Sequence, residues 1–144
     1  VCNIYCDDQE DKNDLFQEIV AQLWKSYPSF RKESKFSTWM YRVALNTAIT
    51  TFKKTKRRPD QNRLTDNNFQ IKDETYNTEI EDDIKKLHRA VAQLTGVEKS
   101  IVLLYLENKK YEEIAEITGI TQNYVRVKMN RIKKKLKKFM DVEE

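Results

Sequence analysis

The stretch Tyr111 to Lys138, YEEIAEITGITQNYVRVKMNRIKKKLKK, constrains this chain more than any other. Tyr111, Ile114 and Ala115 fall on one side of a first helix. Gly119 stands where that helix must end, and glycine tolerates the left-handed conformation that closes a helix. Ile120 then turns inward, and Thr121 supplies an N-cap for a second helix. Val125, Met129, Ile132 and Leu136 recur at spacings of four, three and four, a helical apolar stripe. From Arg126 to Lys138 there are eight basic residues and no acidic one. Small Ala115 opposite Gly119 lets the two helices cross closely, as a helix-turn-helix requires. Such a basic second helix fits a DNA major groove, with its first turns against base edges. An ordinary hairpin with a solvated basic face is the plainer alternative. Turn chemistry and charge together favour DNA recognition.

The 144 residues suffice for one ordinary domain or two small ones. Glycine and proline number two each, too few for an all-β protein built on tight turns. A mostly helical chain follows. The net charge of +4 says little, but its distribution says more. Five of the six residues in KKTKRR, Lys53 to Arg58, are basic, whereas Pro59 to Asp83 holds eight acidic and two basic residues. Two cationic surfaces with an anionic connector between them are expected.

No apolar run is long enough for a membrane span, and no signal peptide is visible. Cys2 and Cys6 read as packed thiols rather than a metal site, since the only histidine is His88. A reducing, cytoplasmic setting is expected, with no cofactor. No nucleophile–base pair, Gly-rich phosphate loop or metal-ligand cluster stands out, so an enzyme is not expected.

Taken in order, Val1 to Cys6 looks like the tail of a helix. An amphipathic helix is predicted from about Lys12 to Ser26, capped by Asp11 or Asn13. Its apolar face is Phe16, Ile19, Val20, Leu23 and Tyr27, and its polar face is Asp14, Gln17, Glu18 and Gln22. Pro28 ends it. The loop Tyr27 to Ser37 interleaves aromatic and basic residues, the pattern that single-stranded nucleic acid needs. Ser37 or Thr38 caps the next helix, which runs to about Lys56. Its predicted buried side is Phe36, Trp39, Met40, Val43 and Ala44, with Arg42 and Asn46 sharing another face. Residues 58–79 read as a flexible acidic linker. Ile80, Ile84, Leu87, Val91 and Leu94 then mark a helix broken at Thr95 and Gly96. The helix that follows, Val97 to Glu107, turns Val97, Ile101, Leu104 and Tyr105 inward.

Two segments carry a family likeness. DLFQEIVAQLWKSYPSFRKESKFSTWMYRVALNTA, Asp14 to Ala48, and AVAQLTGVEKSIVLLYLENKKYEEIAEITGITQNYVRVKMNRIKKKL, Ala90 to Leu136, together resemble regions 2 and 4 of bacterial sigma-70 family sigma factors. The layout resembles that of the small two-domain, extracytoplasmic-function (group 4) type. The resemblance implies an all-α chain of two small helical domains joined by a flexible linker. Residues 1–57 form the region 2-like domain, with most of its first helix lying ahead of Val1. Residues 58–79 form the linker, and residues 80–140 a four-helix domain containing the helix-turn-helix.

The resemblance also implies a role. Such a protein docks on core RNA polymerase, on the β′ clamp helices and the β subunit, and directs it to promoter DNA. Asp14, Gln17, Glu18 and Gln22 would then bind polymerase. Lys35, Ser37, Thr38, Arg42 and Asn46 would read the −10 element, with Lys53 and Lys54 on phosphates. Asn123, Tyr124, Arg126, Lys128, Asn130 and Arg131 would meet the −35 element. An anti-sigma partner that clamps the two domains is a further family expectation. Gln122, Asn123 and Tyr124 stand where many members have small residues, and Lys128 and Asn130 also depart from common choices. No promoter sequence is therefore carried over. A stand-alone helix-turn-helix regulator is the competing reading, though it has no use for a segment like Tyr27 to Lys54.

Overall fold

The computed structural model describes residues 1–57 and 78–142, in which helices are the only regular elements. The first half comprises a short α1 (Cys2–Tyr5), α2 (Gln9–Ser26), a 3-10 turn (Tyr27–Ser29) and α3 (Phe36–Arg57). The second comprises α4 (Thr78–Ala92), α5 (Gly96–Leu106), α6 (Tyr111–Thr118) and α7 (Gln122–Val142). Most of the expected linker, residues 58–77, lies outside the described residues.

Local chemistry sets most helix ends. Asp8, and not Asp11 or Asn13, caps α2 by accepting from the Glu10 backbone N–H, so this helix starts three residues earlier than predicted. Thr95 and Glu98 form a reciprocal capping box at α5: Thr95 Oγ1 accepts from the Glu98 N–H, and Glu98 Oε1 from the Thr95 N–H, both at 3.2 Å. At the other end of α5, Asn108 adopts φ 62° and the Lys109 N–H reaches the Leu104 carbonyl at 3.0 Å. That is a left-handed closure with asparagine in glycine's usual place. Gly119 closes α6 at φ 78°, and Thr121 caps α7 by accepting from the Tyr124 N–H at 3.1 Å. Both ends of the helix-turn-helix therefore form as the sequence predicts.

The two halves share one apolar core. Leu15, Ile19, Leu45 and Ala48 from the first half are buried together with Leu94, Ile101, Leu104, Ile114, Val125, Met129 and Ile132 from the second. Each fully buried aliphatic side chain contributes about 1.5–3 kcal/mol. The halves also meet through polar contacts. Tyr5 Oη donates to the Gly96 carbonyl at 2.6 Å, and Lys99 Nζ donates to the Ile4 carbonyl at 3.2 Å. Lys99 is almost fully buried, its ammonium 4.4 Å from the Phe52 ring centroid.

This packing rotates three helices relative to their predicted faces. On α2, Ile19 is buried and Leu23 packed on the core as predicted, but Leu15 joins them while Phe16 and Val20 are exposed, as is Tyr27 in the 3-10 turn. On α3, Leu45 and Ala48 are buried and Phe36 and Met40 are exposed, because α3 also packs on α5 and α6. On α4, Ala90 is buried while Ile80, Ile84 and Leu87 are at least two-fifths exposed; of the predicted stripe only Val91, and Leu94 just beyond the helix, join the core. Val97 and Tyr105 of α5 also face outward, and Glu98, Lys99 and Ser100 take the interior instead.

Candidate nucleic-acid interface

Helix α7 presents the basic surface. Val125, Met129 and Ile132 are buried against the rest of the second half, and Leu136 half-buried. Successive residues advance about 100° around a helix. Asn123, Val127, Asn130, Arg131 and Lys134 therefore lie opposite the buried stripe, and all are exposed. Arg126 stands on one flank, also exposed, while Tyr124 and Lys128 stand on the other. Lys128 Nζ lies 5.6 Å from the Tyr124 ring centroid. The six predicted −35 residues are thus brought to one helix but not to one line.

Lys135 does not belong to this surface. Its Nζ binds Glu98 Oε1 at 2.9 Å and Oε2 at 3.1 Å, tying α7 to the start of α5. Burial pushes the Glu98 carboxyl up, but hydrogen bonds from Lys135 and Thr95, with the Lys135 charge, outweigh it and hold the group below the ordinary 4.5.

The loop between α2 and α3 is organised by aromatic rings. Phe30 lies 5.1 Å from Trp39 and 5.8 Å from Phe36, centroid to centroid, and Tyr27 lies 6.2 Å from Trp39. Tyr27 and Phe36 remain more than half exposed. Lys32 is held at φ 59°, a left-handed conformation that turns the loop over this cluster. Arg31, Lys32 and Lys35 are exposed beside it. Partly exposed rings ringed by cations are a platform on which unpaired bases stack. The sequence marks these aromatics as a group, but only Lys35, Ser37 and Thr38 of this region are expected from it as contacts. The i, i+3 spacing of Phe36 and Trp39, with Phe30 six residues before Phe36, is the signal that points to the rings themselves.

The remaining predicted −10 residues divide. Lys35, Ser37, Asn46, Lys53 and Lys54 are exposed. Thr38 is 8 % exposed as a residue, the most buried of these. Arg42 is engaged elsewhere: its Nε and Nη2 both donate to the Glu116 carbonyl, at 3.0 and 2.6 Å. Next to it, Tyr41 Oη is bound to the Glu107 carboxylate. That bond first, then burial and the Glu107 charge, push the Tyr41 phenol up to about 12.

Helix α2 carries two surfaces. Asp14, Glu18 and Gln22 line a cleft of about 1200 Å³ with Asp7, Asp8 and Asp11, facing Asn46, Thr50 and Lys54 of α3. Burial, then the charges of Asp8 and Asp14, raise the Asp11 carboxyl. Gln17 is exposed. Phe16, Val20 and Trp24 recur every four residues on the outer side as an apolar strip, Trp24 being 84 % exposed. Cys2 and Cys6 are free thiols, and burial, then the charges of Asp11, Cys2 and Asp7, push Cys6 up to about 11. No helix among the described residues is long and apolar enough to cross a membrane.

Fold and surface together define an all-α DNA-binding protein with a helix-turn-helix. The comparisons with known proteins narrow this. Residues 1–58 match sigma-70 region 2, and residues 84–136 match sigma-70 region 4. The chain is 32 % identical over 133 residues to RNA polymerase sigma factor SigV of Bacillus subtilis (strain 168), covering 88 % of this chain and 74 % of that protein. It is 30 % identical over 132 residues to the ECF RNA polymerase sigma-E factor of Escherichia coli (strain K12), covering 84 % of this chain and 69 % of that one. Its fold matches the sigma factor RpoE from Bartonella quintana, solved in complex with the anti-sigma factor NepR. The TM-score is 0.65 at 16 % identity, over 99 % of this chain and 89 % of that one. The chain belongs to the sigma-70 family, in its extracytoplasmic-function branch, and is a factor for promoter-specific transcription initiation.

Proposed function

We propose that the chain divides promoter recognition between its halves, the second reading the −35 element and the first opening the −10 element. One observation carries this reading: a single chain holds both a basic recognition helix and an aromatic loop fit for unpaired bases. Duplex is read from the major groove by side chains on a helix. Asn123, Arg126, Asn130 and Arg131 suit that role, with Tyr124 and Lys128 on the adjacent phosphate backbone. A melted strand is instead held by ring stacking and cations. Tyr27, Phe30, Phe36 and Trp39 supply the rings, and Lys35, Ser37 and Asn46 the polar contacts. Lys53 and Lys54 neutralise phosphates further along α3. Arg42 joins the site when its bond to the Glu116 carbonyl is released. A base trapped outside the stack favours the open form, so binding itself drives opening.

Core polymerase docks on α2. In the polar row of Asp14, Gln17, Glu18 and Gln22, the two carboxylates give charge complementarity to a basic partner helix and the two amides add hydrogen bonds. The strip of Phe16, Val20 and Trp24 supplies the apolar area that a stable contact needs. The chain adds specificity and strand opening, and the polymerase supplies the chemistry. Its place of work is the cytoplasm, and an anti-sigma protein that engages both halves is its natural antagonist.

Transcription reconstituted from core polymerase, the full chain and its promoter tests the reading. A promoter-directed start that requires the chain is expected. Binding to duplex without any polymerase-dependent start would favour a stand-alone regulator.

A further inference from the structure

We propose that Val127 is a specificity-determining residue of α7: its side chain meets the 5-methyl group of a thymine in the major groove, while Asn123 and Asn130 read adenines on neighbouring pairs. The proposal deepens, and rests on, the reading of α7 as the −35 helix.

Val127 stands apart from the other aliphatic residues of α7. Val125, Met129 and Ile132 are buried and Leu136 is half-buried, whereas Val127 is 38 % exposed. At about 100° per residue, Val127 lies about 200° round the helix from fully buried Val125 and so faces straight outward. Asn123 and Arg131 stand roughly 40° to either side of it, and Asn130 about 60° away. All three are exposed. The centre of a polar, basic face is therefore an aliphatic side chain. The apolar core does not include it. Helix formation does not call for it either, since a β-branched residue is a weaker helix former than the Lys and Arg around it. A single exposed aliphatic is ordinary on a protein surface, but this one sits where side chains meet base edges.

The chemistry of the groove selects its counterpart. The major groove displays one apolar group, the thymine methyl, among hydrogen-bond donors and acceptors. Valine can neither donate nor accept. Against cytosine N4 or guanine O6 it would leave a buried polar group unpaired, which penalises the wrong base. Against thymine it packs methyl on methyl. Asparagine pairs in bidentate fashion with adenine N6 and N7. Asn123 is four residues before Val127 and Asn130 three after, about 6 and 4.5 Å along the helix at ~1.5 Å per residue. Those separations are between one and two base-pair steps of ~3.4 Å. The three side chains thus address neighbouring pairs, and α7 is matched to an upstream element that contains A·T pairs.

The test uses the holoenzyme and the upstream element that it selects from random duplexes. Each thymine of that element, on either strand, is replaced in turn by deoxyuridine, which removes only the 5-methyl group, and closed-complex affinity is titrated. At one position the wild type should lose about three- to fivefold, the worth of one buried methyl. Holoenzyme carrying Val127→Ala should bind the thymine and deoxyuridine duplexes equally at that position. Alanine is a better helix former than valine and the site is exposed, so the variant keeps its fold. On a neighbouring pair, 7-deazaadenine in place of adenine should weaken the wild type but not Asn123→Ala or Asn130→Ala, whichever faces it. Absence of any methyl-sensitive position, or a Val127→Ala holoenzyme as sensitive to deoxyuridine as the wild type, would overturn the proposal. The reading of α7 would survive that result if Arg126→Ala still relaxed the upstream element. If neither Val127→Ala nor Arg126→Ala altered the upstream preference, the reading of α7 would fail and the proposal with it.

Discussion

Lys135 and Glu98 are joined across the second half, the ammonium within 3.1 Å of both carboxylate oxygens. This one pair fixes the C-terminal half of α7 to the capped start of α5. It removes one of eight cations from the DNA-facing inventory of the helix.

The pair makes stability depend on pH in a defined direction. Glu98 is held below its ordinary 4.5. Its contribution is therefore complete above that value and is lost as pH falls through the lower, folded-state value. Lys135→Ala should reduce the melting temperature at neutral pH, and the difference from wild type should shrink in strong acid. An equal deficit at both pH values would mean that Lys135 acts by packing alone. Duplex affinity should fall far less than for Arg126→Ala.

A Cβ at Gly119 would meet no atom within 4 Å, yet φ there is 78°. Space is therefore not the obstacle to a side chain; the backbone conformation is. Gly119→Ala should destabilise the chain by about 1–2 kcal/mol in urea unfolding, the cost of a left-handed non-glycine residue. A neutral result would mean that the turn relaxes without loss.

The placement of α7 residues separates two kinds of DNA contact. Arg126→Ala should cost ~1–3 kcal/mol on the preferred −35 duplex if the guanidinium pairs with a base edge, with little change on random duplex. Lys128→Ala should weaken both duplexes alike and lower the salt dependence, as a phosphate contact does. Gel-shift titrations of the holoenzyme at two salt concentrations distinguish these patterns.

The aromatic cluster predicts an opening defect. Phe36→Ala should weaken capture of the melted strand by about 1–3 kcal/mol per stacked base. Asn46→Ala should act in the same step. Permanganate reactivity of melted thymines should fall in both variants while closed-complex formation persists. Unchanged reactivity would remove these residues from the opening step.

Residues that act through local chemistry are legible in the sequence. Gly119, Thr121 and the stripe of Val125, Met129 and Ile132 need only their neighbours along the chain to reveal a helix-turn-helix. The faces of α2, α3 and α4 are not legible in this way. Leu15 and Phe16 are adjacent and both apolar, and only the position of α3 decides which is buried. Leu45 and Ala48 are buried because α3 is sandwiched between α2 and the second half, a relationship that no periodicity within α3 encodes. The interior places of Glu98 and Lys99 are hidden for a similar reason. Their charges are accommodated by Lys135, the Ile4 carbonyl and the Phe52 ring, which are distant in sequence. The type of each candidate DNA contact is readable, but the engagement of Arg42 by Glu116 is not.

The division of labour between the halves is tested most directly by promoter selection. Core polymerase with the wild-type chain, and core polymerase with Arg126→Ala, would each select from a pool of random duplexes. Two enriched elements are expected for the wild type, and relaxation of the upstream one alone for the variant. Equal disturbance of both elements, or an upstream preference untouched by Arg126→Ala, would contradict a division of recognition between α7 and the aromatic loop.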